Sequence, residues 1–317
     1  MRRREFIMLL GCASVAWPQD VLAQQAEPVR RIGILWRGDA TEGFVQVLQR
    51  ALLEGLAKLG WIDGDAPDRV RKHAEELVGL GPDIIAASSY PVAQAVLQQT
   101  RTIPVVFMNV ADPVAGGLLK NIARPEGNAT GITSTYQSMG GKWLELLKEA
   151  APRTARVALI FAPENVNVQF FGVIDAAAEV LAVKVVRAPY RDTAELQRSI
   201  GVFAVEPNGA LLMVPPPPTP ANAELINRLA VMYRLPTIYT SKYHAALGGM
   251  MSYGPPITES YQIAAAYVDR ILRGAKISEL PVQFPTRVEL VINLKTVKAI
   301  GLPLSRQVLA HADDLIE

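Results

Sequence analysis

Short apolar, β-branched runs alternate with segments of helical periodicity along this chain, and that alternation restricts the fold more than any single motif. A first strand is read at 31–36. From Phe44, apolar residues recur at 44, 48, 51, 52, 56 and 59, one face of a helix, with Glu54 and Lys58 paired across a turn. A second helix is expected over 67–80, strands over 83–87, 103–107 and 129–133, and helices over 91–99 and 140–149. The pattern restarts with a strand at 156–161 and an amphipathic helix at 168–181. Further strands follow at 183–188, 210–214, 236–239, 249–252 and 288–293, with a helix at 260–272. Asp192 and Glu195 form a capping box at the start of another helix. Strands that alternate with helices in this way predict parallel sheets covered on both faces. Two such sets, each of about a hundred residues, suggest two similar lobes. A helix and a strand follow Tyr253-Gly254-Pro255-Pro256, so the chain is expected to cross back there; tandem proline bars helix and suits a hinge strand.

The N-terminus narrows function. Arg3 and Arg4 precede Phe6-Ile7, a short apolar run follows, and Val21-Leu-Ala23 lies just before Gln24-Gln25. A charged start, an apolar run and a small-residue cleavage site read as a bacterial export signal over 1–23, and the Arg-Arg-x-Phe-Ile pattern points to the twin-arginine route. Leu9-Leu-Gly-Cys12 is a poor lipobox, so cleavage after Ala23 is favoured over lipid anchoring. The mature chain would then hold no cysteine and would rely on core burial. A periplasmic protein does not meet ATP, NADH or chromosomal DNA, and no cofactor is expected. With 50% hydrophobic and 20% charged residues and a formal charge of +2, nothing calls for nucleic acid or an anionic membrane. His73, His244 and His311 lie far apart and show no metal-ligand spacing.

In open parallel sheets ligands bind at the carboxyl ends of strands, so the loops there carry the candidate site. Ser88-Ser89-Tyr90-Pro91 follows the 83–87 strand, and two hydroxyls at a helix start suit a carboxylate or phosphate, or plain capping. Asp112 follows the 103–107 strand and would meet a ligand ammonium or cap a helix. Asn165 follows the 156–161 strand and would either bond a ligand or make a turn. Pro215–Pro218 would line an apolar pocket or form a rigid linker. Tyr239, Tyr243 and Tyr253 end or follow strands, where their rings would stack on a ligand. Enzyme signatures are poor: the chain has no Gly-x-Gly-x-x-Gly after its first strand, no Walker loop and no Gly-x-Ser-x-Gly elbow.

Five stretches in order, Ala111-Asp-Pro-Val-Ala-Gly-Gly117, Ala123-Arg-Pro-Glu-Gly-Asn-Ala-Thr-Gly-Ile132, Gly141-Lys-Trp-Leu-Glu-Leu-Leu-Lys-Glu149, Gly249-Met-Met-Ser-Tyr-Gly-Pro255 and Glu289-Leu-Val-Ile-Asn-Leu-Lys-Thr296, resemble a family of ABC transporter solute-binding proteins related to the tryptophan/tyrosine-binding lipoproteins. The resemblance implies an α/β chain of the type I periplasmic-binding fold, with two Rossmann-like lobes, three crossovers and a ligand trapped by hinge closure. The lobes would be 29–135 plus 254–284, and 136–253 plus 285–317. Ser88, Ser89 and Asp112 would hold the ligand from lobe one; Asn165 and Tyr239 would approach from lobe two. The implied partners are a small organic solute, such as an aromatic or apolar amino acid or related carboxylate, and a cognate permease in the inner membrane, with the protein itself a monomer. One departure stands out. Trp61-Ile-Asp-Gly-Asp-Ala-Pro67 runs straight into the second helix, where the family carries a further edge strand. Seven residues span up to ~23 Å, and helix layers on opposite faces of a sheet lie ~20 Å apart, so the connection is feasible but taut and leaves strand one on the edge. An exported hydrolase with His244 beside a cleft serine, or a sensory module, are the competing readings. A LacI-like regulator would need a DNA-binding segment where the leader stands.

Overall fold

The computed structural model describes residues 30–36, 43–61, 74–114, 116–163, 168–215 and 218–317, and residues 31–317 form one compact unit. The leader over 1–23, Asn165 and the shortened stretch at 62–67 lie outside the described residues. In chain order the elements are β1 (Ile32–Leu35), α1 (Gly43–Lys58), α2 (Ala74–Gly79), β2 (Ile84–Ala87), α3 (Tyr90–Gln99), β3 (Val105–Val110), β4 (Ala129–Thr133), α4 (Met139–Ala150), β5 (Arg156–Phe161) and α5 (Gln169–Val180). They continue as β6 (Lys184–Pro189), α6 (Thr193–Ala204), β7 (Gly209–Met213), α7 (Pro220–Tyr233), β8 (Thr237–Tyr239), α8 (Lys242–Ala246) and β9 (Met251–Gly254). The last are α9 (Ile257–Leu272), a 3₁₀ turn at Ile277–Glu279, β10 (Glu289–Asn293), α10 (Leu294–Ile300), α11 (Arg306–His311) and β11 (Asp314–Ile316).

Lobe one is a four-stranded parallel sheet in the order β1-β2-β3-β4. Its strands are continuous apolar runs because both faces are covered. Ile84, Ala86, Val106, Met108 and Ile132 pack with Leu48 and Leu52 of α1 and with Tyr261, Ala264 and Val268 of α9. The alternate residues Ile85, Ala87, Val105 and Phe107 pack with Leu77 of α2 and with Ala93 and Val96 of α3. Among the described residues β1 pairs with β2 alone and is the sheet edge, the position the shortened 61–67 connection calls for. A register shift separates Phe107 from Val110, and Asn109 sits there at φ 56°. Asparagine tolerates that left-handed conformation, and the irregularity sets the direction in which the chain leaves toward Asp112.

Lobe two is a seven-stranded sheet in the order β11-β10-β9-β8-β7-β5-β6. It is parallel except for β9 against β10, which run antiparallel, so the fully parallel expectation is corrected here. The reason is the route. β9 ends at the cleft, the chain passes through α9 in lobe one, and β10 re-enters at the same edge, so it must run back along β9. Trp143 of α4 is fully buried among Phe170, Ile174, Leu159 and Leu212, and its indole N–H donates to the Tyr253 carbonyl at 2.7 Å.

The chain passes between the sheets three times, at 134–138, 255–256 and 284–288. The first and third passages are tied together. Tyr136 stacks on Phe284 with ring centroids 5.2 Å apart and donates its hydroxyl proton to the Pro285 carbonyl. The Thr133 N–H donates to the Gln283 carbonyl at 2.9 Å, and the Gln283 N–H donates to the Gly131 carbonyl at 3.1 Å. Gly254 opens the middle passage, where an added Cβ would collide with the Thr240 carbonyl, so only glycine lets the strands run this close.

Candidate functional site

Carboxyl ends of strands from both sheets meet at the middle of the molecule. On the lobe-one side, the Ser88 N–H donates to the Leu35 carbonyl at 3.1 Å, which holds the β2–α3 turn against β1. Ser89 is the N-cap of α3, extended at φ −176° and ψ 167°, with Pro91 in the first turn. Its hydroxyl makes no cap bond, is shut off from solvent and has no partner. A ten-residue helix therefore points first-turn N–H groups and an unengaged buried hydroxyl at one place. Tyr90 locks this turn to the next loop by donating to the Gly116 carbonyl.

Asp112 lies in that next loop. One carboxylate oxygen accepts from the Val114 N–H at 3.0 Å and the other from the Gln137 side-chain amide at 3.0 Å. The same Gln137 amide donates to the Gln169 carbonyl oxygen at 2.6 Å. Gln137 belongs to the first crossover and Gln169 opens α5 of lobe two, so a polar chain links Asp112 to the opposite lobe. On another flank the lobes meet through rings. Phe44 at the start of α1 lies 4.6 Å from Tyr243 and 5.8 Å from His244, both on α8. Through these contacts the two lobes adjoin.

On the lobe-two side, Tyr239 is fully buried and its hydroxyl donates to Asn227 at 2.7 Å; burial pushes that phenol above the usual tyrosine range. Its ring stacks on His244 at 5.4 Å and 7°. Tyr239 thus forms a wall behind His244, and its polar end is already engaged. Tyr253 on β9 is half-buried and packs on the α4 core. His244 is buried with Nε2 3.1 Å from the Pro218 carbonyl. Burial lowers its pKa to about 4, partly offset by that carbonyl, so the ring is neutral at neutral pH. Its Nδ1 has no partner. Thr135 Oγ1 in the first crossover and the hydroxyl of Tyr261, whose ring stacks on Trp36 at the end of β1 (5.5 Å), are likewise buried without partners.

The structure brings Ser88, Ser89 and Asp112 to one edge, as the strand-end rule expects. It also shows Phe44 and Gln137 in contact across the two lobes, which the sequence reading did not single out. Phe44 was readable only as a core position of a helix, and Gln137 carries no motif. Among the described residues no cluster of His, Cys, Asp and Glu could hold a metal ion, and no helix is long and apolar enough to cross a membrane.

The tyrosine-binding protein of Clostridioides difficile is 27% identical over 232 residues, which cover 72% of this chain and 66% of that protein, just under two thirds of its length. A conserved domain protein from Vibrio cholerae O1 biovar El Tor superposes with a TM-score of 0.78 at 24% identity, covering 90% of this chain and 98% of that one. An ABC domain from Streptococcus pneumoniae in complex with L-Trp gives 0.79 at 20%, covering 90% and 99%. At these identities the two structures establish the fold, the type I periplasmic-binding fold. The model of the family described as ABC transporter substrate binding protein matches residues 40–316, and this chain belongs to that family.

Proposed function

We propose that the protein captures a small organic solute between its two lobes outside the cytoplasm and delivers it to a membrane permease. The observation that carries this is that three of the buried, unpartnered polar atoms lie on segments at the lobe junction: Ser89 Oγ at the α3 N-terminus, Thr135 Oγ1 in the first crossover and His244 Nδ1 beside Phe44 of lobe one. Buried polar groups are ordinarily satisfied, and a trapped ligand would satisfy these. The α3 N-terminus with Ser89 suits a carboxylate, and Asp112 suits an ammonium that displaces the Gln137 amide. Those two handles describe an amino acid. A relative named for tyrosine and a fold neighbour holding L-Trp favour an aromatic one. Ser88 and Tyr253 complete the proposed contacts, with Asn165 and the ring of Tyr239 approaching from lobe two.

The same reading places the protein in the periplasm as a monomer, exported by the twin-arginine route and cleaved after Ala23. It takes lobe one as 29–135 plus 254–284 and lobe two as the rest. The hydrolase reading needed His244 beside a cleft serine; its Nε2 faces the Pro218 carbonyl instead. A thermal-shift screen of the purified protein against amino acids and small aromatic carboxylates tests the proposal. A ligand at a hundred times its dissociation constant stabilises by about 2.7 kcal/mol, which moves the midpoint by roughly 5–10 °C. Saturable stabilisation without turnover supports it, and a cooperative melt that no such compound moves rejects it.

A further inference from the structure

Among the described residues, two ring contacts join the body of one lobe to the body of the other, and Phe44 makes both. Its ring lies 4.6 Å from Tyr243, tilted by 46°, and 5.8 Å from His244, centroid to centroid. The backbone beside it is close as well: a Cβ placed on Gly43 would stand 3.8 Å from the Tyr243 hydroxyl oxygen. Each side of this contact is backed by packed structure. In lobe two, Tyr239 stacks on His244 at 5.4 Å, Tyr243 meets His244 edge-on at 5.5 Å, and Asn227 holds the Tyr239 hydroxyl. In lobe one, Phe44 packs on the core that α1 and α9 share. Tilted ring pairs attract beyond the area they bury. These rings touch one another directly, so the attraction acts with no solute between the lobes.

Its place in the fold gives the contact leverage. The first and third passages between the lobes are tied together beside β4, through the Ile132–Gln283 bridge and the Tyr136–Phe284 stack. Phe44 follows β1, which stands three places from β4 in the sheet, about 14 Å at the usual strand spacing. A rotation of the lobes about the β4 side therefore separates Phe44 from Tyr243. Gln137, by contrast, belongs to the first passage itself and lies near the axis, so its bonds to Asp112 and Gln169 resist such a rotation less. We propose that Phe44 and Tyr243 are positioning residues for solute capture: their ring contact is a clasp that holds the lobes together in the solute-free protein and sets the ratio of closed to open molecules. Opening uncovers both rings and the face of His244 that Phe44 covers, and so gives up apolar burial. Loss of the clasp shifts the ratio by about 10-fold, which takes a population nine-tenths closed to roughly half. The clasp belongs to the free protein and acts whatever solute the cleft takes.

Small-angle X-ray scattering of the purified full chain, without added solute, tests this in the wild type, Phe44→Ala, Tyr243→Ala, the double variant and Phe44→Tyr. A melting curve of each sample shows that it is folded. The expected result is a larger radius of gyration in both alanine variants than in the wild type. The double variant should be no larger than either single one, because each removes the same contact. Phe44→Tyr, which keeps a ring, should scatter as the wild type does. The N-terminal residues are the same in every sample, so the differences report the lobes. If Phe44 serves only the lobe-one core, Phe44→Ala lowers the melting midpoint and leaves the radius of gyration unchanged; that result overturns the proposal. A wild type as extended as the variants overturns it too, as do single-variant increases that add in the double variant. Should Phe44→Ala fail to fold, Tyr243→Ala, on a short helix of the other lobe, decides alone: an unchanged radius of gyration rejects the clasp. Scattering that rejects it leaves solute capture standing, and a solute screen without a hit leaves the clasp standing.

Discussion

In lobe two, Asp192, Thr219, Ser241, Asn293 and Ser305 stand at helix starts, and each side chain accepts a backbone N–H from the first turn. In lobe one, Ser89 stands at the same position of α3 in the same extended conformation, and its hydroxyl accepts nothing. The residue type is equally able to cap in both lobes, so the difference lies in what surrounds it. Those five helices close their own ends; Ser89 of α3 and Ser138 of α4 leave theirs open, but only the Ser89 hydroxyl is sealed from solvent. The sheets differ too. Among the described residues lobe two has seven strands. Lobe one has four, with β1 on the edge, and carries Ser88, Ser89 and Asp112 on its loops.

The largest expected effect falls on the lobe-two core. Trp143→Ala removes a fully buried ring and its bond to the Tyr253 carbonyl; it should destabilise by about 4 kcal/mol and lower the thermal midpoint by roughly 10 °C or more. A melt shifted by less than half that would mean lobe two does not carry the stability assigned to it.

The pH dependence comes next. His244 in the folded protein has its pKa lowered from 6.5 to about 4, so the folded state binds fewer protons than the unfolded state between those values. Its contribution is fully present above 6.5 and is lost as pH falls toward 4, by at most about 3 kcal/mol. Of the groups packed on it, Tyr239, Tyr243 and Phe44 contribute no negative charge at these pH values, and the Pro218 carbonyl supplies only a weak opposing pull. Melting curves from pH 7 to 4 should slope accordingly, and His244→Asn should flatten them.

Asp112→Asn should weaken an amino-acid ligand by about 100-fold through the lost charge pair, with the melting midpoint of the free protein unchanged, because Asp112 holds loop and Gln137 contacts that an amide can partly keep. The smallest effects sharpen the contrast most. Ser89→Ala should reduce ligand affinity several-fold while leaving the melt within about 0.5 kcal/mol, since no bond is lost in the free protein. Asp192→Ala should do the reverse, costing about 1 kcal/mol of stability with affinity untouched. If both serve only their helices, the two variants will look alike.

Much of the fold is legible in the sequence because parallel strands buried on both faces are continuous apolar runs, and helices between them keep one apolar stripe. The strands at 84–87, 129–133, 156–161 and 209–213 fall where those runs lie. The capping box is realised through Asp192 accepting from the Glu195 N–H, although the Glu195 carboxylate reaches the Arg191 N–H rather than that of Asp192. α7 is not read, because Pro215–Pro220 looks like a rigid wall; in fact Thr219 caps and Pro220 opens a 14-residue helix, the position where proline has no N–H to lose. α8, α10, α11 and β11 escape because three to seven residues are too few to display a period. For the candidate site, the strand-end rule singles out Ser88, Ser89 and Asp112, which stand after the carboxyl ends of β2 and β3. Gln137, Phe44 and the unsatisfied state of His244 are invisible to it, because each depends on a residue from the other lobe.

The sequence by itself determined the α/β alternation, the hinge at Gly254-Pro255-Pro256 and the family, since these are written in local periods and short ordered motifs. Only the tertiary structure decided that β10 returns antiparallel to β9, that the Tyr239 hydroxyl bonds Asn227 while its ring stacks on His244, and that the Ser89 hydroxyl makes no cap bond. Those outcomes depend on which groups meet beyond the reach of a local sequence period, and on which of them are sealed from water when they do.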